Sequence, residues 1–204
     1  MEYIQHIIYG FLMAFFGLIA PGMLNMTAVR TAIEVSRREA VKFSVGAASI
    51  VFPQALIALI FANYFVEHPA ILSKLSVAAI VVFFVLFLVF LFQARKKNEF
   101  TGKKKRGNQF FIGGFMSLIN MMAIPFYLGL STYFESKGYL IMKLPFILFF
   151  VSGASIGAFA LFMVYVQFAK IIIKKAQFIA RNINYILSGL FLLLGTVSLL
   201  KILT

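Results

Sequence analysis

The chain has 204 residues, of which 62% are hydrophobic, 17% aromatic and only 12% charged, with a formal net charge of +13. A soluble domain covers its surface with about a quarter charged residues, so this composition, with a mean hydropathy of +0.98, excludes a soluble globular protein and makes lipid the expected solvent. The absence of cysteine removes disulfides, thiolate nucleophiles and soft metal ligands, and basic residues in short bursts between apolar runs do not make a nucleic-acid surface.

A bilayer core of roughly 30 Å takes about 20 mainly apolar residues per helix. Six runs of that length occur: Ile4 to Ala28, Ala40 to Phe65, Leu72 to Gln93, Phe110 to Phe134, Leu144 to Phe168 and Ile183 to Leu203. The fold class expected is therefore all-α, a polytopic membrane protein in a single transmembrane domain spanning 1–204. The first run is too long for a signal-peptide core and enters Pro21-Gly22 rather than a small-residue cleavage site, so a mature membrane helix is expected there.

Two stretches, Gly10 to Pro21 (GFLMAFFGLIAP) and Gly114 to Pro125 (GFMSLINMMAIP), share a Gly-Phe start and a closing proline. A second echo pairs Phe43 to Ser49 with Phe150 to Ile156. The polar stretch 95–109 lies between them and reads as a linker, leaving repeat one at 1–94 and repeat two at 110–204. Three spans per repeat is an odd number, so the second copy must enter the membrane from the opposite side. Two inverted three-helix repeats are the expectation.

The cations set the topology. Arg30, Arg37, Arg38 and Lys42 fall after the first span, Arg95, Lys96, Lys97, Lys103, Lys104, Lys105 and Arg106 after the third, and Lys170, Lys174, Lys175 and Arg181 after the fifth. The opposite side holds only Lys74, Lys137, Lys143 and Lys201. Basic loops stay in the cytoplasm, which places both termini outside a bacterial inner membrane. Lys103 to Arg106 also offer a contact for anionic lipid.

Pro21-Gly22 is the sharpest local feature. Proline frees the carbonyl of Gly17 and glycine eases the backbone, so the first helix should stop and restart there, offering unpaired amides over Met23 to Ala28 to an anionic group such as a carboxylate. Pro125 should break the fourth helix in the same way. Asn25, Thr27, Gln54, Ser117 and Asn120 cluster near these points, and an unpaired amide in hydrocarbon must find protein, water or cargo. Pro21, Gly22, Asn25, Thr27, Asn120 and Pro125 are the candidate substrate-binding residues. Gln54, Ser49 and Ser155 read instead as interhelical hydrogen bonds, and Gly46 and Gly153 as close-packing positions.

Enzymatic chemistry finds no footing. His6 and His68 are the only histidines, no aspartate occurs, and the six acids, Glu2, Glu34, Glu39, Glu67, Glu99 and Glu135, all lie outside the apolar runs. Neither a hydrolase triad nor a metal-ligand spacing can be assembled from them, and phosphate-loop and dinucleotide fingerprints are missing. No catalytic residue, metal or cofactor is expected.

Pro21-Gly22, Gly46 in the second helix, Asn120 in SLINMMAIPF, and Gly189 and Gly195 in NYILSGLFLLLG together resemble the LysE-type family of lysine, threonine and homoserine exporters along essentially the whole chain. The sequence departs from the family pattern at Met23, Ser49 and Met121, where a second proline, a second glycine and an Asn-Pro proline are usual. The resemblance implies export of small amino acids or related metabolites from the cytoplasm by alternating access, driven by the proton gradient. A small-molecule cargo and the lipid bilayer are then the partners, nucleic acid is not, and a homo-oligomer is left open. The competing expectation is a non-transporting membrane scaffold or accessory subunit, whose basic loops would hold a partner or anionic lipids.

Overall fold

The computed structural model describes residues 2–67, 107–120 and 123–172, with helical residues within 84–92 and within 185–200. The described residues are mainly helical, with no strand among them. Six helices carry the architecture: α1 (Glu2–Gly17), α2 (Met23–Glu34), α3 (Arg37–Glu67), α4 (Gln109–Ile119), α5 (Ala123–Ser136) and α6 (Leu144–Gln167). The third expected span, Leu72 to Gln93, and the sixth, Ile183 to Leu203, lie largely outside the described residues, as does the linker up to residue 106. One bond joins what is described of them, from Ser188 Oγ to the Phe87 carbonyl at 3.3 Å.

Among the described residues, two helices are long and apolar enough to cross a membrane without interruption, α3 over Arg37–Tyr64 and α6 over Leu144–Gln167. α4 and α5 qualify as one span bent by 61°. The protein is accordingly a membrane protein. With 16 residues, α1 reaches only ~24 Å, short of a bilayer core.

Prolines sort by position. Pro53 lies inside α3, where it deletes the amide that would meet the Ser49 carbonyl, yet the helix runs unbroken over its full 31 residues. Pro145 occupies the first turn of α6, where its missing donor would have had no partner. Pro125 does not break the fourth span as expected. The helix stops at Ile119, before Pro125 is reached, and Pro125 sits exposed in the first turn of the restarted α5. Proline is tolerated in that position for the same reason as Pro145.

Where helices meet, glycine lets backbone touch backbone. α1 and α6 run in the same direction, since Tyr3 stacks on Phe146 at 4.7 Å and the Tyr165 hydroxyl reaches the Ile19 carbonyl at 2.6 Å. Between these points a Cβ added at Gly10 would collide with the Phe150 carbonyl, and one added at Gly153 with the Ile7 carbonyl. α3 and α4 also run in parallel, with Gly46 against the Phe110 carbonyl, Gly113 against the Phe43 carbonyl, and Gln54 bonded to Ser117 further along. Lipid is as apolar as leucine, so such close approach supplies the van der Waals contact that holds membrane helices together. α3 and α6 are joined in turn by Ser155 Oγ donating to the Ala48 carbonyl at 2.7 Å.

The two ends of the bundle differ in charge. Arg37 and Lys170 line one cleft, so the first and third basic loops emerge together, with Arg30, Arg38 and Lys42 nearby in sequence. The other end gathers the start of α1, the end of α5 and the approach to α6. There His6, buried at 3% exposure, donates from Nδ1 to the Glu2 carbonyl (2.7 Å) and accepts the Ile141 amide at Nε2 (3.0 Å). His6 therefore clasps α1 to the segment before α6.

The glycine contacts generate a stability prediction. Gly46→Ala and Gly153→Ala should each lower thermal stability in detergent by about 1–3 kcal/mol, because the new methyl meets immovable backbone. Gly129→Ala, where an added Cβ meets nothing within 4 Å, should be neutral or raise stability by up to ~1 kcal/mol through helix propensity. Equal midpoints for all three proteins would contradict the packing described.

Candidate functional site

The first interruption covers residues 18–22, between the end of α1 at Gly17 and the start of α2 at Met23. Each carbonyl through its middle is taken by a defined donor. Asn25, 5% exposed, spends both amide hydrogens, on Leu18 O and Ala20 O at 2.8 Å each. Tyr165 of α6 donates to Ile19 O at 2.6 Å, and the Gly22 amide returns to Ala20 O at 2.7 Å. The broken helix is thus sealed by one side chain from its own restarted half and one from another span.

Pro21 is half-buried and precedes the N-cap of α2, so its missing amide removes no helical bond. Gly22 is that N-cap, in extended backbone with φ of −84°, a conformation open to any residue. Its role is therefore not the conformational freedom expected from the sequence. Gly22 brings no side chain to cap the first turn, so the leading amides of α2 lack a side-chain partner at that position. Thr27 is half-buried and returns its hydroxyl to the Met23 carbonyl at 2.7 Å.

The second interruption falls at Asn120, the C-cap of α4, with α5 resuming at Ala123. The Asn120 amide bonds to Ser117 O (3.0 Å), and its carbonyl accepts from the Ala123 amide (3.2 Å). Gln54 of α3, 5% exposed, donates to the same Ser117 carbonyl at 2.9 Å. The parallel with Tyr165 is close: in both cases a polar side chain from a packed neighbour reaches the carbonyls at the end of a broken helix. Gln54 Oε1 and the Tyr127 hydroxyl of α5 are buried without a hydrogen-bond partner among the described residues.

The flanks of the two interruptions touch. An added Cβ at Gly17, the last residue of α1, would strike the ring of Phe126, which follows the second break on α5. Alongside lies a cleft of about 390 Å³ between α1 and α5, lined by Tyr9, Leu12, Met13, Phe16, Gly17, Leu130 and Phe134. Its walls are apolar. Among the described residues no hydrogen bond links Asn25 to Asn120, and neither lines this cleft. The structure thus brings the two breaks together but does not converge the six candidate residues on one polar chamber.

Tyr165, Gln54 and Tyr127 carry the polar chemistry that the sequence reading left unassigned or gave to packing. Only Gln54 had a signal, an amide inside an apolar run next to Pro53. The tyrosines lie in runs that mix buried aromatics such as Phe150 and Phe162 with exposed ones such as Phe111 and Phe168, and nothing in spacing separates them. No group of three or more His, Cys, Asp or Glu capable of holding a metal occurs among the described residues.

The capping at the first break sets an expected outcome. Tyr165→Phe should cost about 0.5–1.5 kcal/mol, and Asn25→Val about 1–3 kcal/mol because two carbonyls lose their donor. Hydrogen exchange at the amides of residues 18–26 should quicken in both, and unchanged exchange in Asn25→Val would show that the break does not depend on this side chain. Comparison with protein-family models, with curated proteins and with solved structures finds no match, so the reading of the site rests on its geometry.

Proposed function

We propose that the protein is a membrane transporter that exports small amino acids or related metabolites from the cytoplasm by ion-coupled alternating access. The observation that carries this reading is the contact between two interrupted helices, Gly17 against Phe126, inside a chain of membrane-spanning helices. Interrupted spans expose backbone donors and acceptors that an unbroken rod hides, and paired interruptions near mid-membrane are how carriers grip polar cargo. The leading amides of α2 at Met23 and beyond suit a carboxylate, and Asn120 and Gln54 Oε1 are polar groups at the second break.

The architecture proposed is six spans in two inverted repeats of three. The glycine contacts support it. Shifting Ile7 and Gly10 by 103 positions gives Phe110 and Gly113, and shifting Phe43 and Gly46 by 107 gives Phe150 and Gly153. The contact of α1 with α6 therefore has the same pattern as that of α4 with α3. Ser155 and Ala48, which bond to each other, are also related by the shift of 107 and so would lie on the pseudo-two-fold axis. In this register Gly10 pairs with Gly113 rather than with Gly114 of the sequence echo. The end bearing Arg37 and Lys170 is taken as cytoplasmic and the end bearing His6 and Lys143 as outside.

The scaffold reading draws on one observation, the apolar lining of the cleft beside the breaks. Flux separates the two. In cells lacking and re-expressing the protein, efflux of at least one small amino acid should depend on it, and Pro21→Ala should lower that efflux by a larger factor than it lowers membrane abundance. Identical efflux of every amino acid in both strains would leave the scaffold reading standing.

A further inference from the structure

At the basic end of the bundle a second cleft, of about 510 Å³, opens between the end of α2, the start of α3 and the end of α6. Its lining includes Arg37 and Lys170, together with Gln167 and the aliphatic side chains of Ile33, Val166 and Ile171, and contains no carboxylate. We propose that this cleft is a binding site for one anionic phospholipid, with the phosphate held by Arg37 and Lys170 and an acyl chain laid along Ile33, Val166 and Ile171.

Level in the membrane is the first argument. Arg37 opens the spanning helix α3 and Gln167 closes the spanning helix α6, so the cleft sits where the hydrocarbon core ends and headgroups begin. Charge is the second. Arg37 and Lys170 are exposed cations, and the ion pair of Lys42 with Glu39 at 2.6 Å does not include them. Glu34 closes α2 but does not line the cleft. Around it the described chain carries Arg30, Arg37, Arg38, Lys42 and Lys170 against Glu34 and Glu39, whereas the opposite end carries Lys137 and Lys143 against Glu2 and Glu135.

The third argument is the mixture of surfaces, which separates a lipid from a free anion. A soluble phosphate would gain nothing from Ile33 and Ile171, 43% and 56% exposed, whereas an acyl chain removes that apolar area from the headgroup region. Arginine and lysine then hold the phosphate as a charged head group at the same depth. The inference needs the membrane setting but not transport, so a protein that exports nothing would still bind the lipid.

Native mass spectrometry of the full chain in detergent, titrated with phosphatidylglycerol or phosphatidylcholine, tests the proposal. Phosphatidylglycerol should be retained more tightly. Each cation is worth about fivefold in affinity, so Arg37→Gln/Lys170→Gln should weaken phosphatidylglycerol binding by roughly 25-fold, and Lys137→Gln/Lys143→Gln at the other end should leave it unchanged. The single variants Arg37→Gln and Lys170→Gln, each expected to lose about fivefold, carry the test should the double variant aggregate. Equal retention of the two lipids, or wild-type binding by the glutamine variants, would overturn the site. Displacement of the lipid by glycerol phosphate at matched concentration would overturn the lipid in favour of a plain anion.

Discussion

A carbonyl released from a helix inside a bilayer has no water to turn to, and the satisfaction of Leu18, Ile19 and Ala20 is the constraint on which the surrounding structure depends. Asn25 bonds two of these groups and Tyr165 the third. That arrangement fixes where α2 starts, aims it along the end of α6, and lets the helix stop and restart without leaving orphaned backbone. α2 accordingly buries Val29 against Leu161, Tyr165 and Ala169 of the partner segment. Deprived of either donor, the interruption would be a defect rather than a feature.

The second interruption is solved less completely. Gln54 donates to Ser117, but its Oε1 and the hydroxyl of Tyr127 remain buried without partners among the described residues. Unmet polar groups in a dry interior are expensive, and they are retained where something else binds or where another conformation satisfies them. The first break is closed by its own hydrogen bonds and the second keeps unused capacity. In the proposed carrier this asymmetry would make the α4–α5 bend the element that responds to cargo.

Packing ties each break to the opposite half of the chain. α1 lies on α6 and α4 on α3 through glycines that admit backbone contact, and the caps follow the same pairing, Tyr165 of α6 to Ile19 and Gln54 of α3 to Ser117. A movement of one half against the other would therefore carry a break and its cap on different bodies. This is the mechanical linkage that the proposed alternating access requires, and it follows from ordinary steric and hydrogen-bonding demands.

By itself the sequence determined the solvent, the helical class and the place of the first break. Composition excluded a water-soluble surface, and Pro21-Gly22 marked the stop between α1 and α2, because apolar content and a missing amide are properties of residues alone. The echo of Phe43 to Ser49 in Phe150 to Ile156 marked Gly46 and Gly153, both of which meet the backbone of a neighbouring helix. Tertiary structure alone decided the rest. It put the second break at Asn120 rather than Pro125, because a proline in a first turn breaks nothing, and it gave Asn25 a capping role, because only folding brings two carbonyls within reach of one amide. Tyr165 meets Ile19 across most of the chain, and His6 meets Ile141. Such pairings depend on which faces the glycines bring together, a property of three-dimensional packing that no local pattern encodes.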